Sequence, residues 1–215
     1  MIIYKMNILS SVKSNTFNKN KLPQPINDFT FRLKSTTTVV PTTANGYTVT
    51  NNNTTTMVND GTRGYVFNFS GTNSLSINLA TPLNSTKTFW LSSSTPGYNS
   101  GNVFSTTKMP MWFNGTTLLR ATVNFSPGIN VTSNVAQTST WRFYAITTTP
   151  TTTSLYINGA LVVTASVTWT GDADKMMFGA YQINNNNYTG LMDDIRFYSN
   201  ILTSTDIMSL YTTTL

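Results

Sequence analysis

From Phe29 onward the chain is a succession of short runs in which apolar and polar residues alternate, each closed by Gly, Pro, Asn or Ser. A two-residue period places one set of side chains on one face of an extended strand, so this pattern selects β-structure over helix. The runs are "FTFRL" (29–33), "GYVFNFSG" (64–71), "SLSINLA" (74–80), "TFWLSS" (88–93), "MPMWFN" (109–114), "TTLLRATVNF" (116–125), "TWRFYAITTT" (140–149), "KMMFGAY" (175–181) and "GLMDDIRFY" (190–198). Within "TSLYINGALVVTASV" (153–167), Asn158-Gly159 joins two apolar runs and suits a two-residue hairpin with positive φ at both centres. "LTSTDIMSLY" (202–211) has Ile207, Leu210 and Tyr211 at helical spacing, with Thr203 or Ser204 as the N-cap. Many short strands and one terminal helical turn predict an all-β sandwich of two antiparallel sheets.

Residue types that are missing narrow the chemistry. The 215 residues include no Cys, no His and no Glu, so every one of the seven acidic residues is Asp. Imidazole, the usual general base near neutral pH, is lacking, as are two of the three commonest zinc ligands. These absences predict a protein that is not an enzyme. Thr makes up roughly a fifth of the chain and Asn roughly an eighth, which favours strands and turns respectively.

The charge is uneven. Residues 1–34 hold six basic residues against Asp28, whereas the remaining chain is nearly neutral. Residues 1–28 are polar, basic and aperiodic, and read as an N-terminal arm preceding one domain over 29–215. Its apolar positions Ile2, Ile3, Tyr4, Ile8 and Leu9 are expected to seat against a neighbouring chain, in the manner of strand addition. No aromatic–basic interleaving marks the arm as a nucleic-acid binder. No apolar run reaches the ~20 residues of a membrane span. "MIIYKMNILSS" is a poor signal peptide because Lys5 interrupts it.

Residues 140–211 combine a Trp-led strand (Trp141), the "LYING" hairpin (Leu155–Gly159), an apolar strand and Gly190, Asp193, Asp194, Arg196 and Tyr198 in one run, then Leu202, Asp206, Leu210 and Tyr211. Upstream lie "DGTRGYVFNFSGTNSLSI" (60–77) and "TFWL" (88–91). In order and spacing this resembles the concanavalin A-like lectin/glucanase (laminin-G-like) superfamily over most of 29–211. The resemblance implies a two-sheet jelly roll, a fold that usually binds glycans or proteins.

Asp193 and Asp194 then admit three readings. The related laminarinase-type hydrolases use two Glu around an Asp on one strand, and this chain has no Glu. Adjacent strand residues also point to opposite faces, so the pair is not expected to flank one glycosidic bond. The resemblance implies a second reading, with Asp193 helping to hold a structural Ca²⁺ beside backbone carbonyls near the first strand and Asp28 close by. In the third, one Asp pairs with Arg196 or a basic residue on a facing strand while the other caps backbone donors.

Lectins of this shape bind sugars through loops and aromatic faces. The candidates are Trp169 in "VTWTGDAD", Tyr98 in "TPGYNSGN", Trp112 in "MPMWFN", and Tyr181 with Tyr188 around "INNNN", whereas Trp90 and Trp141 read as core. The leading expectation is a structural component of a large assembly, a virion capsid or fibre protein at the virion surface, anchored by its arm and able to bind glycans. The alternative is a carbohydrate-binding lectin module, extracellular or at the cell surface.

Overall fold

The computed structural model describes residues 30–93, 101–114, 118–123, 129–136, 138–173, 175–181 and 188–214. The arm with Ile2, Ile3, Tyr4, Ile8, Leu9 and Asp28, and also Tyr98, lies outside them. Two antiparallel sheets of eight strands each form the sandwich, as expected. The first sheet contains β1 (Thr30–Leu33), β4 (Thr56–Asn59), β5 (Tyr65–Ser70), β7 (Ser85–Ser93), β12 (Arg142–Thr148), β13 (Thr152–Ile157), β14 (Ala160–Ser166) and β16 (Thr189–Tyr198). Its order is β14-β13-β12-β7-β16-β5-β4, with β1 added against β16. The second contains β2 (Thr43–Ala44), β3 (Tyr47–Asn52), β6 (Ser74–Ile77), β8 (Asn102–Ser105), β9 (Met111–Asn114), β10 (Leu118–Val123), β11 (Ile129–Ala136) and β15 (Met176–Phe178). Its order is β11-β10-β9-β8-β15-β6-β3-β2.

Alternation does the sorting. Phe67 and Phe69 on β5, Phe89 and Leu91 on β7, and Met192, Ile195 and Phe197 on β16 face Leu75, Phe104, Met111, Phe113 and Phe178 of the other sheet in one buried core. The intervening residues of the first sheet form a second cluster on its outer face. There Trp90, Phe143, Tyr156 and Tyr198 are covered by Leu202 and by Ile207 and Leu210 of helix α1 (Ser204–Thr213). Thr203 caps the helix and exchanges bonds with Asp206, while Trp90 Nε1 donates to Thr214 Oγ1 at 2.9 Å.

Asn158 and Gly159 take φ of 50° and 80°, the turn that their dipeptide predicts. Asn45 and Gly46 (49° and 85°) make the same turn between β2 and β3, two strands that the run pattern did not mark. β4, β8 and β11 were likewise unmarked.

One core residue breaks the apolar rule. Lys87 of β7 is inward-facing, opposite Ile146 on β12 and Phe197 on β16, and only 2% exposed. Its ammonium donates to Ser85 Oγ at 2.7 Å, lies 3.9 Å from Met109 Sδ and 5.9 Å from the Phe197 ring centre, and meets no carboxylate among the described residues. Burial pulls its pKa down to about 7. Between that value and the ordinary 10.5, the unfolded chain holds one more proton than the folded one. Stability therefore rises with pH across this window, by about 1.4 kcal/mol per pH unit from this group, and is flat below it. Lys87→Met should be more stable than the parent near neutral pH, and the gap should close as pH rises toward 10. Urea unfolding of both proteins at about pH 6, 7.5 and 9 measures this, and a gap constant with pH would refute it.

Candidate functional site

β16 pairs with β7 along one side. On its other side Thr189–Met192 pair with β5, and Ile195–Tyr198 pair with β1. Asp193 and Asp194 occupy the changeover, where the register with β7 slips and Asp194 adopts φ of 47°. Asp193 lies opposite Trp90 and Arg196 opposite Thr88, two β7 residues of the same face. With the extra residue between them, both carboxylates reach the outer face, which corrects the expectation that adjacent aspartates diverge.

Each carboxylate is claimed by two cations. Arg63 Nε and Lys34 Nζ donate to Asp193 Oδ2 at 2.9 and 3.0 Å. Arg196 Nη2 donates to Asp194 Oδ2 at 2.7 Å, and Arg32 Nε donates to Asp194 Oδ1. Arg63 also stacks over Trp90, with its guanidinium carbon 4.1 Å from the ring centre, and lies 5.4 Å from that of Trp141. Trp141 Nε1 and the Arg63 amide both donate to Asp60, whose turn holds the arginine in place. Burial pushes the Asp194 carboxyl upward, but the hydrogen bonds from Arg196 and Arg32 outweigh it and hold the pKa below the usual range. That contribution to stability is present above the ordinary carboxylate pKa and lost as pH falls through the folded value.

Calcium does not fit this site. The ion takes six to eight oxygens and needs negative charge, whereas here two carboxylates already face four cations. Asp193 Oδ1, buried and without a partner among the described residues, offers a single oxygen. No group of three acidic side chains able to hold a metal occurs among the described residues. The pair is also unsuited to glycosidase chemistry, since both carboxylates are buried in ion pairs. We expect the melting temperature to be unmoved by excess EDTA or calcium. Arg63→Met, which uncovers part of the Asp193 charge, should cost about 3 kcal/mol in urea unfolding. A calcium-dependent rise in melting temperature that Asp193→Asn removes would contradict this assignment.

Two predicted binding aromatics turn out to be interior. Trp169 is 2% exposed, in the main core, with Nε1 donating to Pro82 O at 3.0 Å. Pro82, together with Leu83, Lys108 and Gly171, lines an open cleft of about 630 Å³ in which the indole has no part. Tyr188 is fully buried and its hydroxyl donates to Ser92 O at 3.0 Å, an approach that Gly190 permits, since a Cβ there would lie 2.5 Å from that hydroxyl. Both rings fill the sandwich and present no face to solvent, a correction to their placement as loop aromatics.

Trp112 and Tyr181 keep accessible surface. Met111 and Phe113 point into the core, so Trp112 between them is on the outer face of the second sheet. Its cross-strand partners are Asn102 on β8 and Arg120 on β10, and Arg120 pairs in turn with Thr132 on β11. The four positions form one row across four strands. Tyr181 follows β15, and its carbonyl accepts from Ser105 Oγ of β8 at 3.1 Å. Asn102, Arg120 and Thr132 escaped the sequence reading because register with Trp112, and no local motif, brings them together.

A family model for the Concanavalin A-like lectin/glucanases superfamily matches residues 69–208, and the chain belongs to that superfamily. No curated protein sequence matches the chain. Among solved structures, domain 4 of AbnA, a GH43 extracellular arabinanase from Geobacillus stearothermophilus, in complex with arabinotriose, aligns with a TM-score of 0.63 at 18% identity, over 77% of this chain and 88% of that one. The binding domain of Paraclostridial Mosquitocidal Protein 1 aligns with a TM-score of 0.68 at 14% identity, over 85% of this chain and 51% of that one. A botulinum neurotoxin type C structure, described as interacting with two ganglioside molecules for cell entry, aligns with a TM-score of 0.68 at 12% identity, over 87% and 51%. The chain thus spans about half the length of the toxin binding domains. At these identities the likeness is one of fold. These neighbours are binding domains, in a superfamily whose name also includes glucanases.

Proposed function

We propose that the chain is a non-catalytic carbohydrate-binding module that acts outside the cell, with its sugar site on the outer face of the second sheet around Trp112. The observation that carries this reading is the row Asn102–Trp112–Arg120–Thr132. An indole with accessible surface can stack on the C–H face of a sugar ring, and Thr132, in register two strands away, also keeps accessible surface and offers a hydroxyl. The arabinotriose and ganglioside named for two structural neighbours support the same class of ligand. Tyr181 remains a candidate for the rim of the site, and Tyr98, outside the described residues, remains a candidate ligand contact.

The lectin alternative now takes precedence over the virion reading. The neighbours are binding domains with no bearing on a capsid role, and the proposed contact with neighbouring chains rests on residues 1–28, outside the described structure. No helix among the described residues is long and apolar enough to cross a membrane.

A glycan array followed by calorimetry on the hits, with arabinotriose and a ganglioside oligosaccharide included, tests the reading. Trp112→Ala should weaken binding by at least tenfold, equivalent to about 1.4 kcal/mol, with the melting temperature within a few degrees of the parent. Binding that survives this substitution unchanged would move the site elsewhere, and an array without hits would remove the function.

A further inference from the structure

Four segments meet at one end of the sandwich, where β6 leads into β7, β8 turns into β9, β15 begins and β16 ends. They enclose the open cleft of about 630 Å³ that Leu83 and Lys108 line. The segments are tied to one another. Thr81 and Asp172 exchange backbone hydrogen bonds at 2.6 and 2.9 Å, and Gly171 comes so close that a Cβ there would lie 3.1 Å from Thr81 O. Lys108 is fixed at both ends. Its amide donates to Asp172 Oδ2 at 2.7 Å, and Nζ donates to Gly171 O at 3.0 Å and to Thr170 Oγ1 at 3.3 Å. Ties of this kind set the walls before a ligand arrives, which lowers the entropic cost of binding. The volume also falls within the roughly 300–1,000 Å³ of small-ligand sites. The lining differs from the surroundings of Trp112. Among the described residues it includes no aromatic ring, and its apolar surface is the aliphatic shelf of Pro82 and Leu83. Leu83 stands 48% exposed and so is not spent on the core. Asn84 and Thr170 belong to the same lining, as does the Lys108 ammonium, whose third N–H is uncommitted among the described residues. Thr81 also lines the cleft, and its buried Oγ1 has no partner among the described residues.

We propose that this cleft is a second sugar site, separate from Trp112, and that it takes sugars bearing an acetamido group. The inference rests on the carbohydrate-binding reading and adds to it a site and a ligand class. A sugar ring stacks on an aromatic face, which this cleft lacks. An aliphatic shelf suits a methyl group instead, and leaving water for it is favourable. The acetamido group joins such a methyl to an amide, whose N–H and C=O need partners once they leave water. Thr81 Oγ1, the Asn84 amide and the Lys108 ammonium are the donors and acceptors for that amide and for the neighbouring ring hydroxyls. A plain hexose brings hydroxyls for the rim and nothing for the shelf, so the acetamido group is what the cleft discriminates. Two sites on one module also raise its avidity for a multivalent glycan, which offsets the weakness of each sugar contact.

The experiment uses the full chain and two matched pairs of methyl glycosides, N-acetylglucosamine against glucose and N-acetylgalactosamine against galactose, titrated by ligand-observed NMR. The acetamido member of at least one pair should bind at least fivefold more tightly than its partner, with the strongest saturation transfer on the acetamido methyl. Leu83→Asn, which removes the shelf at an exposed position, should bring the ratio close to one. Lys108→Met should weaken both members of the pair. The preference should persist in Trp112→Ala, because the two sites are separate, and the melting temperatures of all three variants check that each is folded. Equal binding within both pairs, no binding by any of the four, or a preference that Leu83→Asn leaves intact would overturn the cleft assignment. In each of those cases array hits that depend on Trp112 would leave the carbohydrate reading in place. If none of the four binds and the array is also blank, both readings fall together.

Discussion

A strand that changes partners midway must bury an interruption in its own ladder, and β16 does this at Asp193 and Asp194. The chain spends an extra residue there, in a conformation that leaves backbone and carboxylates needing partners. Arg63 arrives from the turn before β5, Arg32 and Lys34 from β1 and its end, and Arg196 from β16 itself. Because Arg63 also stacks on Trp90, the same cluster fixes the floor on which Trp141, Tyr211 and the C-terminal helix pack. Removing one partner would strand buried charge, which costs more than the intact pair contributes. The adjacent carboxylates are therefore a joint of the fold.

Much of this architecture is legible in the sequence wherever alternation is strong. β5, β7, β12, β13 and β16, with their Phe, Trp and Ile at every second position, mark themselves, and so do the Asn158-Gly159 turn and the Thr203 cap. β3, β4, β8 and β11 escape because Thr, Asn and Ser fill positions that apolar residues would flag. Ser105 of β8 and Ser133 of β11, for example, are buried although polar. The Asp193–Asp194 bulge is invisible locally, since its cause is the handover from β5 to β1, strands remote in sequence. Trp169 misleads for a related reason. Its Gly- and Asp-rich surroundings look like an exposed loop, but Thr81 and Asp172 form a bridge that folds the segment over the core. Trp112 was legible as an aromatic in a strand, and only the pairing of β8, β9 and β10 supplies its neighbours.

The two sheets divide the labour. Ionic bonds and the helix burden the outer face of the first, which leaves it closed. The second carries serines, threonines, asparagines and one tryptophan on its outer face, stiffened from behind by the shared core. A rigid sheet is a better platform than a loop for a weak ligand, because little side-chain and backbone freedom is lost on binding.

β14 forms the rim of the first sheet, and from Phe143 through Gly171 the sequence contains no charged residue. Natural edge strands commonly deter self-pairing with lysines, prolines or inward-turned charges, and "ALVVTAS" has none of these. Leu161 stands 54% exposed on it. The register slip at Leu155 and Tyr156 and the nearby β11 are the remaining obstacles to a second strand laying itself alongside. A single lysine placed on this neutral border would deter such pairing in the way natural edge strands do.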